Sequence, residues 1–248
     1  MAELRPVGVS ASFPDGKGGS PREQEIANHF RRAVPEKREK DEMMPCFKYG
    51  KREIVHLKER DSTLGAAIAA IGPIRREVIP DIHAALAHAI VGQQISSKAA
   101  ATVWSRLKTT LGDITPDALD DAGIETLRRC GMSHRKALYL KDMALRVRSG
   151  ELDLEALRAM PDDEVRACLI GFRGIGVWTA EMLMIFSLQR PDVVSWGDLA
   201  IHRGLCRLYR HRKITRTLFD KYRRRYSPYG SVASLYLWAI AGGAGRQD

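Results

Sequence analysis

Leu169-Ile170-Gly171-Phe172-Arg173-Gly174-Ile175-Gly176-Val177-Trp178-Thr179-Ala180, followed further on by Val193-Val194-Ser195-Trp196-Gly197-Asp198, decides how the rest of the chain is read. Gly171, Gly174 and Gly176 let the backbone turn tightly, adopt positive φ and approach another backbone closely. Ahead of them, Pro161 to Ile170 starts with proline, carries Asp162, Asp163 and Glu164 in its first turn and keeps helical spacing. Beyond them, Val177 to Leu188 predicts a largely apolar helix. The glycines therefore join helix to helix, which argues against a dinucleotide fingerprint, where a strand comes first. The absence of a Gly-Lys-Ser/Thr ending argues against a triphosphate loop. What remains is a hairpin whose amides, with the N-terminus of the next helix, face an anion.

Charge says which anion. The chain of 248 residues has 40 Lys+Arg against 30 Asp+Glu, a formal charge of +10, and such an excess favours polyanions through counterion release. Ten basic residues fall between Arg203 and Arg225 (Arg203, Arg207, Arg210, Arg212, Lys213, Arg216, Lys221, Arg223, Arg224 and Arg225) against the single acid Asp220. Solvated helix faces normally interleave acids, and this stretch does not.

Outside that core the chain changes character. Residues 1–42 carry eight basic and eight acidic side chains, a Gly-Lys-Gly-Gly-Ser-Pro run and no apolar period, so residues 1–44 are expected to be a disordered or loosely attached extension with a short helix near Glu23 to Ala33. No apolar run reaches spanning length and no secretory leader is evident, which makes a cytoplasmic protein with no membrane partner the default. Cys46, Cys130, Cys168 and Cys206 are far apart; their spacing gives no zinc site, and buried thiols without a disulfide are expected. The seven histidines show no metal-ligand spacing either.

From Cys46 onward helical patterns follow one another. Asp81 to Val91, Ser96 to Leu111, Ser133 to Arg148 and Val232 to Ala241 have caps and apolar residues three and four apart, punctuated by Gly112, Gly131 and Gly150. No alternating strand survives, so the expectation is an all-α domain of about ten helices over residues 45–248.

The ordered set Gly-Ile-Gly-x-Trp-Thr-Ala, apolar helix, Gly-Asp-Leu-Ala-Ile resembles the helix-hairpin-helix DNA glycosylases, and most closely their alkylpurine (3-methyladenine, type II) branch, over roughly residues 46–243. Arg173 stands where that family often has proline. The resemblance implies two helical lobes, one of about residues 50–75 plus 199–248 and the other of about 80–198, with an active-site cleft between them. It implies a monomer acting on double-stranded DNA with damaged bases in the bacterial cytoplasm or nucleoid. No iron–sulfur cluster is expected, since the compact carboxy-terminal cysteine set of the endonuclease III branch is missing.

The resemblance also assigns roles. Asp198 matches the catalytic aspartate, a fixed negative charge for the oxocarbenium-like transition state of N-glycosidic cleavage; its position after Gly197 is equally that of a helix cap. Strand-cutting relatives place a lysine where this chain has Trp178, and no lysine lies between Lys141 and Lys213, so hydrolysis without a covalent adduct is implied. Trp178, Met182 and Tyr229 are expected at the base pocket, with Trp196 and Trp238 as further wall candidates that the core can equally claim. Gln94, or Gln93, in the segment Gly92 to Ser96 is expected to enter the minor groove as the wedge, although both can serve as helix-end caps. Gly171, Arg173, Gly174, Gly176 and Arg203 are expected at phosphates, and the carbonyls of Ile170, Phe172 and Ile175 at a structural monovalent cation, the only cofactor foreseen. His202 is expected to reach a phosphate or the carboxylate, or to be structural. A non-catalytic DNA- or lesion-binding protein and a glycosylase of other base specificity stand as alternatives; retention of the acid favours the enzyme.

Overall fold

The structure, a computed structural model, describes residues 45–244; the expected extension and its short helix lie outside them. Among the described residues there are twelve α-helices and no strand, only an isolated bridge between Cys46 and Glu77. The all-α expectation is met, with two helices more than foreseen.

Local chemistry explains where the helices start. α1 (Lys51–Arg60) ends at Asp61, whose carboxylate then caps α2 (Ser62–Ile71) by accepting from Leu64 N at 2.9 Å. Asp81 caps α3 (Ile82–Gly92) through His83 and Ala84 N, and Ser96 caps α4 (Ser97–Leu111). Thr115 with Pro116 starts the short α5 (Pro116–Asp121), α6 (Ile124–Arg129) follows, and Ser133 caps α7 (His134–Arg148). α8 (Asp162–Ile170) and α9 (Val177–Phe186) flank the hairpin; α9 stops two residues short of the expected Leu188. The last three are α10 (Leu199–Tyr209), α11 (Arg216–Tyr226) and α12 (Gly230–Ala241).

Helix contacts fall into two groups. α1, α2, α10, α11 and α12 pack on one another, and α3 to α9 form the second set. Packing is closest between α10 and α12, where a Cβ on Gly204 would run into the Leu237 backbone; only glycine permits that approach. Within the first set, Asp61 is 4% exposed and binds both the Tyr209 hydroxyl at 2.8 Å and the Arg225 guanidinium at 2.6 Å, which ties the start of α2 to α10 and α11. One continuous cluster of buried apolar side chains runs through both sets. No helix among the described residues is long and apolar enough to cross a membrane.

Candidate active site

The hairpin is a backbone structure held from outside. Of its three glycines only Gly174 takes positive φ, +89°; Gly171 and Gly176 have φ of −63° and −90°. That corrects the expectation for the two outer glycines. A Cβ at Gly174 would lie 2.7 Å from the Tyr139 ring, so both conformation and space demand glycine there. Gln93 Nε2 donates to Gly174 O at 2.6 Å, and Arg146 Nη1 donates to Gly171 O at 3.0 Å with its guanidinium over the Phe172 ring. The amides of Gly171, Phe172 and Ile175 bond within the turn, so an anion would draw on those of Arg173, Gly174 and Gly176 and on the α9 N-terminus.

The same contact separates the two glutamines. Gln93 is half-buried and bound to the hairpin, whereas Gln94 is exposed and sits at the turn in the left-handed region, φ 57°. A side chain held at that φ is strained and projects from the turn between α3 and α4. Only Gln94 presents itself to a partner.

Asp198 is 7% exposed and caps α10: Oδ1 accepts from Ala200 N at 2.7 Å and Ile201 N at 3.1 Å. Oδ2 accepts from two indoles, Trp178 Nε1 and Trp238 Nε1, each at 3.0 Å. Four N–H donors thus hold one carboxylate, from α9, α10 and α12, at the junction of the two packing groups. Its approach segment is stitched to the first turns of α12: Ser231 Oγ bridges Arg190 O and Val193 N, Ser234 Oγ donates to Val193 O, and Asp192 accepts from Gly230 N. Residue 198 therefore has little freedom to move.

Several sequence expectations change here. Trp178 donates its N–H to Asp198, which fixes the ring plane, a bond the sequence did not announce. Met182, 2% exposed, is core and offers no surface to an incoming base. His202 is structural: Nε2 meets Trp196 O at 2.8 Å and its ring stacks on Phe219. Tyr229 is half-buried, precedes α12 and meets the His56 ring edge-on at 5.1 Å. The basic run divides. Arg207 donates to Ile240 and Ala241 O at the end of α12, Arg216 pairs with Asp220, and Arg225 with buried Asp61. Arg210, Arg212, Lys213, Lys221, Arg223 and Arg224 are exposed, and Arg203 is half-exposed.

Sequence reasoning passed over Glu181, and it named Trp238 as a wall candidate without its bond to Asp198. Glu181 is 8% exposed on α9, with Arg166 Nε at 3.8 Å. Burial pushes its carboxyl above the usual range and the Asp198 charge adds to that, while the Ser195 hydroxyl, Arg166 and Arg223 pull the other way. Spacing gave a hint for Glu181, a lone acid in an apolar helix; nothing local marks Trp238, whose partner lies 40 residues away.

The four cysteines are free, and among the described residues no group of His, Cys, Asp or Glu is arranged to hold a metal. The carbonyls of Ile170, Phe172 and Ile175 are neutral oxygen donors, which suit a hard monovalent cation. Phe172 O already accepts from Ile175 N at 3.0 Å and keeps its second lone pair.

A helix-hairpin-helix followed by a capped and indole-bound aspartate agrees with the class of base-excising DNA repair proteins. The chain belongs to the HhH-GPD superfamily of base excision DNA repair proteins, whose sequence pattern matches residues 87–228. It is 33% identical over 192 residues to DNA-3-methyladenine glycosylase 1 of Schizosaccharomyces pombe, covering 74% of this chain and 84% of that one. Its fold is similar to a DNA-3-methyladenine glycosidase from Bacillus halodurans, with TM-score 0.74, 35% identity and 81% and 94% of the two chains covered. It is also similar to a 3-methyladenine DNA glycosylase of Schizosaccharomyces pombe solved in complex with abasic DNA, with TM-score 0.67, 30% identity and coverage of 80% and 100%.

Proposed function

We propose that this chain is a monofunctional DNA glycosylase that hydrolyses the N-glycosidic bond of alkylated purines, of the 3-methyladenine and 7-methylguanine type, in duplex DNA. The observation that carries the reading is the Asp198 carboxylate, immobilised by four N–H donors beyond a phosphate-type hairpin. As the glycosidic bond stretches, positive charge grows on the sugar, and a carboxylate already in place stabilises it without reorganising. With two donors on each oxygen, Asp198 acts chiefly as a fixed charge. Relatives with lyase activity need an amine at the position Trp178 fills, so the product is an intact strand with an abasic site.

The remaining residues bind. Gly174 and Gly176 amides with Arg173 meet a phosphate, Arg203 and the exposed arginines of the basic run meet its neighbours, and Gln94 fills the gap left by the everted base while Gln93 keeps the turn registered on the hairpin. A monovalent cation held by the carbonyls of Ile170, Phe172 and Ile175 would supply positive charge facing the same phosphate. The protein works as a monomer on damaged duplex in the cytoplasm or nucleoid, its helices divided between lobes of about 50–75 plus 199–248 and 80–198.

Asp198→Asn tests the assignment. Single-turnover excision is expected to fall at least about a thousandfold, a loss of a few kcal/mol or more of transition-state stabilisation, while affinity for an abasic-site analogue stays within a few-fold. Near-normal excision in a folded variant removes Asp198 from the chemistry.

A further inference from the structure

Seven large apolar side chains are exposed among the described residues, and four of them, Ile170, Val177, Trp196 and Leu199, belong to the hairpin and to the two segments that meet at Asp198. Trp196 is the only aromatic in that set. It stands two residues before Asp198 and keeps 37% of its surface open. Its setting is built. His202 Nε2 meets its carbonyl at 2.8 Å, His202 lies against the ring at 4.6 Å, Phe219 presents a T-shaped contact at 5.1 Å, and the Arg216 guanidinium sits over the ring 5.2 Å from its centre. Arg216 is in turn held by Asp220 through Nε–O distances of 3.0 Å. An indole that served only the core would be covered by these neighbours. This one is fixed by them and still exposed.

The chemistry of a rigid indole backed by a cation is that of a nucleobase platform: every base has a π-face, and the cation strengthens the stack. Turning one nucleotide out of a duplex bares a face on each of its two neighbours, and the Gln94 wedge covers one of them. We propose that Trp196, backed by Arg216, stacks the base adjacent to the everted nucleotide on the lesion-bearing strand, outside the base pocket. The proposal rests on the glycosylase reading, and it places the occupant by continuity with Asp198 and by the exposed Arg210, Arg212 and Lys213 that follow α10. Phosphates go to those cations; the unstacked base goes to Trp196.

Binding to a duplex carrying a tetrahydrofuran abasic analogue, and to the same duplex undamaged, is measured across a salt series for the wild-type chain, Trp196→Phe and Trp196→Ala, with thermal melting as the control for folding. Trp196→Ala is expected to weaken binding to the abasic duplex about tenfold, Trp196→Phe to restore most of it, and undamaged duplex to be bound equally by all three. The salt slope should not change, because no phosphate contact is lost. Unchanged affinity in Trp196→Ala, equal losses on both duplexes, no recovery in Trp196→Phe, or a changed slope overturns the platform. If Trp196→Ala does not fold, photocross-linking of the wild-type chain to 5-iodouracil beside the abasic analogue decides: an adduct on Trp196 supports the proposal, and adducts only elsewhere refute it. Excision of 3-methyladenine by the wild-type chain, run in parallel, tests the glycosylase reading separately, since the binding measurements do not require turnover.

Discussion

The hairpin between α8 and α9 and the carboxylate at Asp198 are held in opposite ways. The hairpin is gripped at its backbone, with Gln93 on the Gly174 carbonyl and Arg146 on the Gly171 carbonyl, and what it presents outward is backbone too. Asp198 presents a single side chain, and two of the four groups that fix it are side chains from other helices, Trp178 and Trp238. A binding surface made of main chain tolerates most substitutions and fails only where geometry requires glycine. A site made of one charge depends on individual atoms far away in the sequence.

Removing the indole donors gives the largest effect expected from this contrast. Trp178→Phe and Trp238→Phe keep an aromatic ring and delete one N–H each, so excision should fall about tenfold singly and about a hundredfold together, through loss of orientation. Affinity for undamaged duplex should stay put. Equal losses in excision and in undamaged-duplex binding would erase the distinction between the two regions.

The hairpin is broken in the complementary way. Gly174→Ala forces φ of +89° on a residue with a Cβ and drives that Cβ into Tyr139, so about 1–2 kcal/mol of stability is expected to disappear along with much of the affinity for any duplex. Excision at saturating enzyme should change far less than binding. Gly176→Ala is the internal comparison, since nothing lies within 4 Å of a Cβ there and φ is −90°; its effect on melting should be small.

A weaker effect sharpens the account of the charges near Asp198. The folded value of Glu181 is raised, so the folded chain favours its neutral form, and ionisation as pH rises through that value costs stability. Glu181→Gln should therefore melt higher than the wild-type chain at alkaline pH, and the advantage should vanish near pH 4, below the ordinary glutamate value of about 4.3. A constant difference in melting temperature across that range would show that Glu181 does not titrate as its burial requires.

These contrasts also explain what the sequence could reveal. Helix starts announced themselves through Asp81, Ser96 and Ser133 because a cap is a local event, satisfied by amides two or three residues on. The hairpin was legible for the same reason, although three glycines look alike in sequence and only Gly174 needs its φ. The second indole on Asp198 and the pairing of Arg207 and Arg225 with distant groups were not legible. Each depends on a partner brought close by folding, Ala241 for Arg207 and Asp61 for Arg225, whereas the Arg216 partner Asp220 lies one helical turn on. Met182 was misplaced because an apolar residue one turn beyond Trp178 shares its face in a helical projection, while the packing of α9 buries that turn.

The central claim is that one fixed carboxylate, with no amine beside the sugar, does the chemistry. It is tested most directly by the products released from duplexes carrying 3-methyladenine, 7-methylguanine, uracil or 8-oxoguanine, with borohydride present in a parallel series. A cationic purine departs neutral without needing a proton, so 3-methyladenine and 7-methylguanine should leave faster than uracil or 8-oxoguanine. Strands should break only after alkali or heat, and borohydride should trap nothing. Stoichiometric trapping of a protein–DNA adduct, or faster release of the neutral bases, would contradict the account.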